Sequence, residues 1–294
     1  MSDRIGWVGL GGMGSPMAAN VIRAGFDVTV CDLRPDPVAA AVDLGAAAAP
    51  TVAEVAAAAE VLFVSLPGPA ASELVAAEVF DSATHPEVYV ELSTLAPDTM
   101  RGLAQRAERA GIAFLDVPVS GSVRARNEGT LAVMAGGDEA AFERIRPVLD
   151  TMGANVFLLG PVGSGSVAKL ANNLIGLTTL VTAMEGMLLG VRSGLQADVL
   201  KSVIMTASGA CPGVLGVAHQ LRTRRYRDGP PQAAVHIVVK DLELAVQLAA
   251  EVGLPVRTAA AALEAWRDAA AAGLTDQEMW TLLDHLEAAH LNVS

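Results

Sequence analysis

Through the first 160 residues, short apolar runs alternate with longer segments of helical length. The runs are RIGWVG (4–9), DVTVCD (27–32), EVLFVSL (60–66), EVYVELS (87–93), IAFLDV (112–117) and TLAVMAG (130–136). Most are β-branched or apolar throughout, the pattern of strands covered on both faces. Ala-rich segments between them, such as 12–24, 70–79 and 97–110, have helical length. Asp138 reads as the N-cap of a further helix running to Met152. This alternation predicts an α/β fold with a doubly wound, mostly parallel sheet.

Beyond GPVGSG (160–165) the strand pattern stops. Helices are expected over 166–192, 196–206, around 236–252, 258–272 and 275–290. Turn signals at Gly194, Pro212–Gly213, Gly229–Pro231, Gly253 and Gly273 separate them. The chain of 294 residues therefore divides into an α/β domain at 1–162 and an all-helical domain at 163–294. Residues 170–184 carry no charge but include Asn172 and Asn173. Their 15 positions fall short of the ~20 apolar residues that a membrane helix needs, so no membrane span is expected. A helix apolar all round must instead be enclosed by neighbours, a second subunit among them.

Composition narrows the function. Twenty basic against 32 acidic residues give a net charge of −12, which argues against nucleic acid and anionic membranes as partners. The two cysteines, Cys31 and Cys211, lie far apart, and neither they nor the five histidines show metal-ligand spacing. No metal is expected, and a reducing compartment follows. The first residues show no basic leader followed by an apolar run, so no signal peptide is expected. The reading is a soluble cytoplasmic protein.

The candidate chemistry begins with GLGGMG (9–14), a G-x-G-x-x-G pattern between the first strand and the first helix. Gly9 permits the tight turn, Gly11 lets backbone approach a pyrophosphate, and Gly14 allows close packing of helix on sheet. Leu10, Gly12 and Met13 complete a turn whose N–H groups face the phosphates. Asp32 ends the second strand 18 residues after Gly14. It would accept the ribose hydroxyls of NAD and repel the 2′-phosphate of NADP. NAD is the expected cofactor, with NADP the alternative because Arg34 offers a phosphate contact.

The second candidate is GSGSVAKLANNL (163–174). Only three of the 20 basic residues are lysines, at 169, 201 and 240, and lysine and arginine are not interchangeable chemically. Lys169 at the mouth of a helix ordinarily snorkels to water. Asn173 stands one turn on, on the same face. A desolvated lysine is also suited to move a proton near neutrality.

The ordered succession GLGGMGSPMAANV, SLP, ELST, DVPVSGSVRARNEGTLAVMAGG, GSVAKLANN and KDLELA resembles the β-hydroxyacid dehydrogenase family over nearly the whole chain. That family includes 3-hydroxyisobutyrate dehydrogenase, tartronate semialdehyde reductase and the glyoxylate and succinic semialdehyde reductases. The resemblance implies an N-terminal Rossmann domain, a C-terminal helical domain built on a long helix, and a homodimer or homotetramer. It also implies a hydride transfer between a nicotinamide cofactor and a small β-hydroxy acid or semialdehyde. By matching motif, Lys169 falls on the catalytic lysine and Asn173 on its hydrogen-bonding partner. Ser120, Gly121 and Ser122 fall on the loop for the substrate carboxylate. Leu66, Pro67 and Thr94 fall on cofactor loops, and Lys240 where cofactor and substrate meet. Ser122 matches the glyoxylate and succinic semialdehyde reductases, whereas Asp32-Leu33 replaces their Asn-Arg. The two features point to different subgroups and leave the substrate open.

Two other readings stand beside this one. Imine reductases share the architecture but usually carry aspartate or tyrosine where Lys169 stands. A non-catalytic dinucleotide-binding scaffold would be expected to lack Lys169 or the glycine turn, and both are present. The basic run HQLRTRRYRDG (219–229) reads as a solvated loop, His236 as a packed histidine near Lys240, and Cys31 as core.

Overall fold

Six apolar runs of the sequence become strands because each is flanked by turn chemistry and most of their residues are buried. In the computed structural model, which describes residues 3–229 and 231–288, the chain forms two units, Met1–Lys169 and Leu170–Ser294.

The first unit runs β1 (Ile5–Val8), α1 (Gly14–Arg23), β2 (Val28–Cys31), α2 (Pro35–Asp43), β3 (Ala47–Ala48), α3 (Val52–Ala58), β4 (Val61–Val64) and α4 (Pro69–Phe80). It continues with β5 (Val88–Glu91), α5 (Pro97–Arg109), β6 (Ala113–Asp116), β7 (Val119–Ser120), α6 (Val123–Glu128), β8 (Leu131–Gly137), α7 (Glu139–Met152) and β9 (Gly153–Leu158). The strand order is β3-β2-β1-β4-β5-β6-β8-β7, with β9 paired to β8. Strands β1 to β6 pair in parallel; β8 runs antiparallel to β6 and β7. This is the expected doubly wound, mostly parallel sheet. One face packs Trp7, Phe63, Val90 and Leu115 against α1 and α7; the other packs Leu62, Tyr89 and Phe114 against α4 and α5. Helix starts follow local chemistry. Proline stands in the first turn of α2, α4 and α5, where its missing N–H costs nothing. The Asp138 side chain accepts from Ala141 N–H at 2.9 Å, the cap expected for α7.

The second unit contains α9 (Ala197–Met205), α10 (Pro212–Thr223), α11 (Val235–Glu251), α12 (Arg257–Ala269) and α13 (Thr281–Ala288), with most of α8 (Ser164–Arg192). Among the described residues its only β contact is one bridge between Ala234 and Glu278. Leu180, Met184, Met187 and Leu188 of α8 join Val217, Leu242, Leu263 and Trp266 in its core.

Helix α8 has 29 residues and continues past the uncharged stretch at both ends; its most apolar 18-residue window has a mean hydropathy of 1.7, and one such helix is not enough for a membrane span, which agrees with the expectation. Other expectations need correction. The basic run is no solvated loop: α10 extends to Thr223, and Arg224 pairs with Asp284 and Glu287 of α13. Those partners lie some sixty residues away, beyond any local pattern. His236 is exposed and pairs with Asp276 rather than packing in the core. Helices α2 and α3 and strands β3, β7 and β9 were not anticipated. The turn expected at Gly229–Pro231 and the end of the helix expected to residue 290 fall partly outside the described residues.

Candidate active site

The glycine turn follows from backbone contacts that only glycine permits. Gly9 has φ +94°, and a Cβ there would lie 2.1 Å from the Ser65 carbonyl oxygen. A Cβ on Gly14 would lie 2.1 Å from the Gly9 carbonyl oxygen, so α1 starts hard against the end of β1. A Cβ on Gly11 would meet nothing within 4 Å. The turn is closed toward the sheet and open at Gly11, which fits a pyrophosphate resting on backbone N–H groups.

Asp32 is tied into that turn. Its Oδ2 accepts Leu10 N–H at 2.6 Å, and its Oδ1 accepts the backbone N–H and Nε–H of Arg34 at 2.9 and 3.1 Å. Arg34 Nη2 returns to the Leu10 carbonyl at 2.9 Å. Burial pushes the Asp32 carboxyl up, but the Arg34 hydrogen bonds and the Leu10 N–H together hold it below its ordinary range. The carboxylate is fixed at the end of β2, where an adenosine ribose would meet it.

The loop after β4 is braced from below. Leu66 N–H donates to Ser93 Oγ at 2.8 Å, and Ser93 N–H donates to Glu91 Oε1 at 3.0 Å. Glu91 is fully buried, and burial raises its carboxyl to about 7 against the hydrogen bonds of Ser93. Pro67 is exposed and Thr94 half-buried at the same strand ends.

At the 120–122 loop, Ser122 caps α6 by accepting Ala125 N–H at 3.1 Å. A capping hydroxyl accepts through a lone pair and keeps its hydrogen to donate elsewhere. Gly121 is glycine for a packing reason: a Cβ there would lie 2.6 Å from the Leu131 side chain.

Lys169 is half-buried on the second turn of α8, and the start of that helix is held by a residue the sequence reading missed. Asp116, fully buried at the end of β6, accepts Gly163 N–H at 2.7 Å on Oδ1 and Ser166 N–H at 2.8 Å on Oδ2. It caps the helix from a neighbouring strand. Burial raises its carboxyl to about 6 in spite of those two bonds. Glycines make the approach possible, since a Cβ on Gly136 would lie 2.4 Å from Asp116 Oδ1.

In the second unit, Asn173 and Lys240 meet through Asp241. Asn173 Nδ2 donates to Asp241 Oδ2 at 2.9 Å, and Lys240 Nζ lies 3.0 Å from Asp241 Oδ1. Asn172 Nδ2 donates to Asn173 Oδ1 at 3.2 Å. Asp241 stands outside the residues expected from the sequence; its burial, with 13% of the side chain exposed, is what the sequence does not carry.

Comparisons with known proteins cover most of the chain. Residues 4–160 match the family described as the NAD binding domain of 6-phosphogluconate dehydrogenase. Residues 163–286 match that described as NAD-binding of NADP-dependent 3-hydroxyisobutyrate dehydrogenase. The chain is 33% identical over 284 residues to 2-(hydroxymethyl)glutarate dehydrogenase of Eubacterium barkeri, covering 95% of this chain and 93% of that one. It is 40% identical over 213 residues to 3-hydroxyisobutyrate dehydrogenase of Pseudomonas aeruginosa, covering 71% of each. The solved structure of Mycobacterium tuberculosis 3-hydroxyisobutyrate dehydrogenase with L-serine matches with a TM-score of 0.84 at 30% identity, over 98% of this chain and 100% of that one. A dinucleotide turn, a lysine-bearing helix and relatives of this kind across both units make the chain a member of the β-hydroxyacid dehydrogenase family, an NAD(P)-dependent oxidoreductase acting on CH–OH groups.

Proposed function

We propose that this chain interconverts a small β-hydroxy acid and its semialdehyde, with Lys169 as the proton-transfer group. The observation that carries the reading is the placement of Lys169 and Asn173 one turn apart on α8, the start of which Asp116 fixes. A bound nicotinamide supplies the hydride acceptor for oxidation and the donor for reduction. The protein's part is to manage the substrate's charge and its proton. Lys169 takes the hydroxyl proton during oxidation and returns it during reduction. Asn173, oriented by Asp241, holds the reacting oxygen, and Lys240 shares that carboxylate. Ser120, Gly121 and Ser122 hold the substrate carboxylate through N–H groups and the free hydroxyl hydrogen of Ser122. Gly9, Leu10, Gly11, Gly12, Met13 and Gly14 hold the pyrophosphate. Asp32 takes the ribose, and Leu66, Pro67 and Thr94 line the rest of the cofactor.

Asp32 favours NAD over NADP. The enzyme works as a soluble cytoplasmic homodimer or homotetramer: Ile175, Leu189, Val199 and Val203 expose 63, 71, 56 and 59% of their surface in the helical unit. Apolar side chains so open are natural interface material, and light scattering of the purified chain gives the oligomer directly. The activity is tested by NAD- and NADP-linked oxidation of L-serine, 3-hydroxyisobutyrate and 2-(hydroxymethyl)glutarate, with simple alcohols as controls. Turnover of one or more acids and none of the alcohols is expected. Turnover of alcohols alone would remove the carboxylate from the reading.

A further inference from the structure

Among the described residues Arg126 is the one basic side chain that is buried, with 7% of its surface exposed. It lies in α6, four residues after Ser122, and its N–H donates to the Ser122 carbonyl at 3.0 Å. Positions so spaced share a helix face. Helical side chains lean back toward the N-terminus of their helix, which carries the guanidinium from its own turn toward the 120–122 loop. Its Nη1 lies 3.7 Å from Met13 Sδ in the glycine turn.

The backbone that carries Arg126 is also held firmly. Asn20 of α1 donates from Nδ2 to the Arg126 carbonyl at 3.0 Å. Ser122 caps the same helix at one end, and Gly129 closes it at the other with φ 67° and an N–H bonded to the Ala125 carbonyl. The guanidinium therefore stands between the glycine turn and the loop after β7. In folds of this kind, ligands bind along that edge.

We propose that Arg126 binds a second anionic group of the substrate, so that the enzyme selects dicarboxylic β-hydroxy acids over monocarboxylic ones. This rests on the dehydrogenase reading above and deepens it. A guanidinium keeps its charge at every working pH, and its planar fork matches a carboxylate in two parallel hydrogen bonds. The donors at 120–122 are uncharged and suffice for one carboxylate. A cation one helical turn after Ser122 gives a second recognition point for an anionic group. The cofactor pyrophosphate is the other oxyanion within the same neighbourhood, and the experiment separates the two.

Steady-state kinetics would use 2-(hydroxymethyl)glutarate and 3-hydroxyisobutyrate at saturating cofactor, for the wild type, Arg126→Ala and Arg126→Lys. Calorimetry with NADH and NADPH would accompany them. The wild type is expected to favour the dicarboxylate at least about tenfold in kcat/KM. Arg126→Ala should raise KM for the dicarboxylate about ten- to hundredfold, the span of a charge-assisted hydrogen bond. KM for the monocarboxylate and the cofactor affinity should stay within about twofold. Arg126→Lys should fall between, since it keeps the charge without the fork. If the alanine variant does not fold, the wild-type preference and the lysine variant still decide. Equal losses on both acids, loss of cofactor affinity, or a wild type indifferent to the second carboxylate would overturn the proposal. A wild type that oxidises neither acid would overturn the activity as well, a result distinct from turnover without preference.

Discussion

Asn173 donates from Nδ2 to Asp241 Oδ2 at 2.9 Å, while Lys240 Nζ lies 3.0 Å from the other oxygen of the same carboxylate. One half-buried carboxylate thus joins two helices, α8 and α11, and fixes which way the asparagine amide points. Asn173→Ala and Asp241→Ala should each lower kcat. The double variant should lose little more than the worse single one, with a coupling of about 0.5–3 kcal/mol. Additive losses measured in that cycle would mean that Asp241 does not orient Asn173.

Asp116 and Glu91 end neighbouring strands in register. Both are fully buried. Burial raises Asp116 from 3.8 to about 6 and Glu91 from 4.5 to about 7. The folded chain therefore holds protons that the unfolded chain has released, and stability falls as pH rises from about 4 through about 7. The stabilising contribution is complete below the unfolded values and gone above the folded ones. Urea midpoints at pH 5 and pH 8 for the wild type, Asp116→Asn and Glu91→Gln test this. Each amide variant should narrow the difference between the two pH values; an unchanged difference would contradict the assignment.

Asp32 bears on cofactor choice through a carboxylate already committed to Leu10 and Arg34. A like-charge contact with a 2′-phosphate costs up to several kcal/mol, so NADH should bind more tightly than NADPH. Asp32→Ala should weaken NADH and strengthen NADPH, leaving Arg34 to meet the phosphate. Calorimetry on both proteins reads this directly. Tighter NADPH binding by the wild type would show that Arg34 sets the preference.

Much of this was legible in the sequence, and the exceptions share one cause. Strands β1, β2, β4, β5, β6 and β8, the glycine turn and the Asp138 cap are local patterns, written within a few residues of where they act. The one-turn spacing of Lys169 and Asn173 was legible because a helix sets it. Asp116, Asp241 and Arg126 were not, because each acts on residues distant in the chain or gains its meaning from burial. Asp116 reaches 47 and 50 positions to Gly163 and Ser166, and Asp241 reaches 68 positions back to Asn173. A charged residue next to a strand end or a lysine looks like surface until the fold closes over it. The basic run at 219–229 misled for the same reason, its acidic partners lying on α13.

The proton-transfer role of Lys169 is the central claim, and kcat for two variants measures it most directly. Lys169→Ala should lower kcat by about 10²–10⁴-fold, the usual contribution of general acid–base catalysis. Lys169→Arg should do little better, because guanidinium keeps the charge but does not release a proton near neutrality. NADH affinity should survive both changes, which ties the loss to chemistry rather than to folding. Near wild-type turnover in Lys169→Arg would contradict the account and leave Lys169 only an electrostatic part.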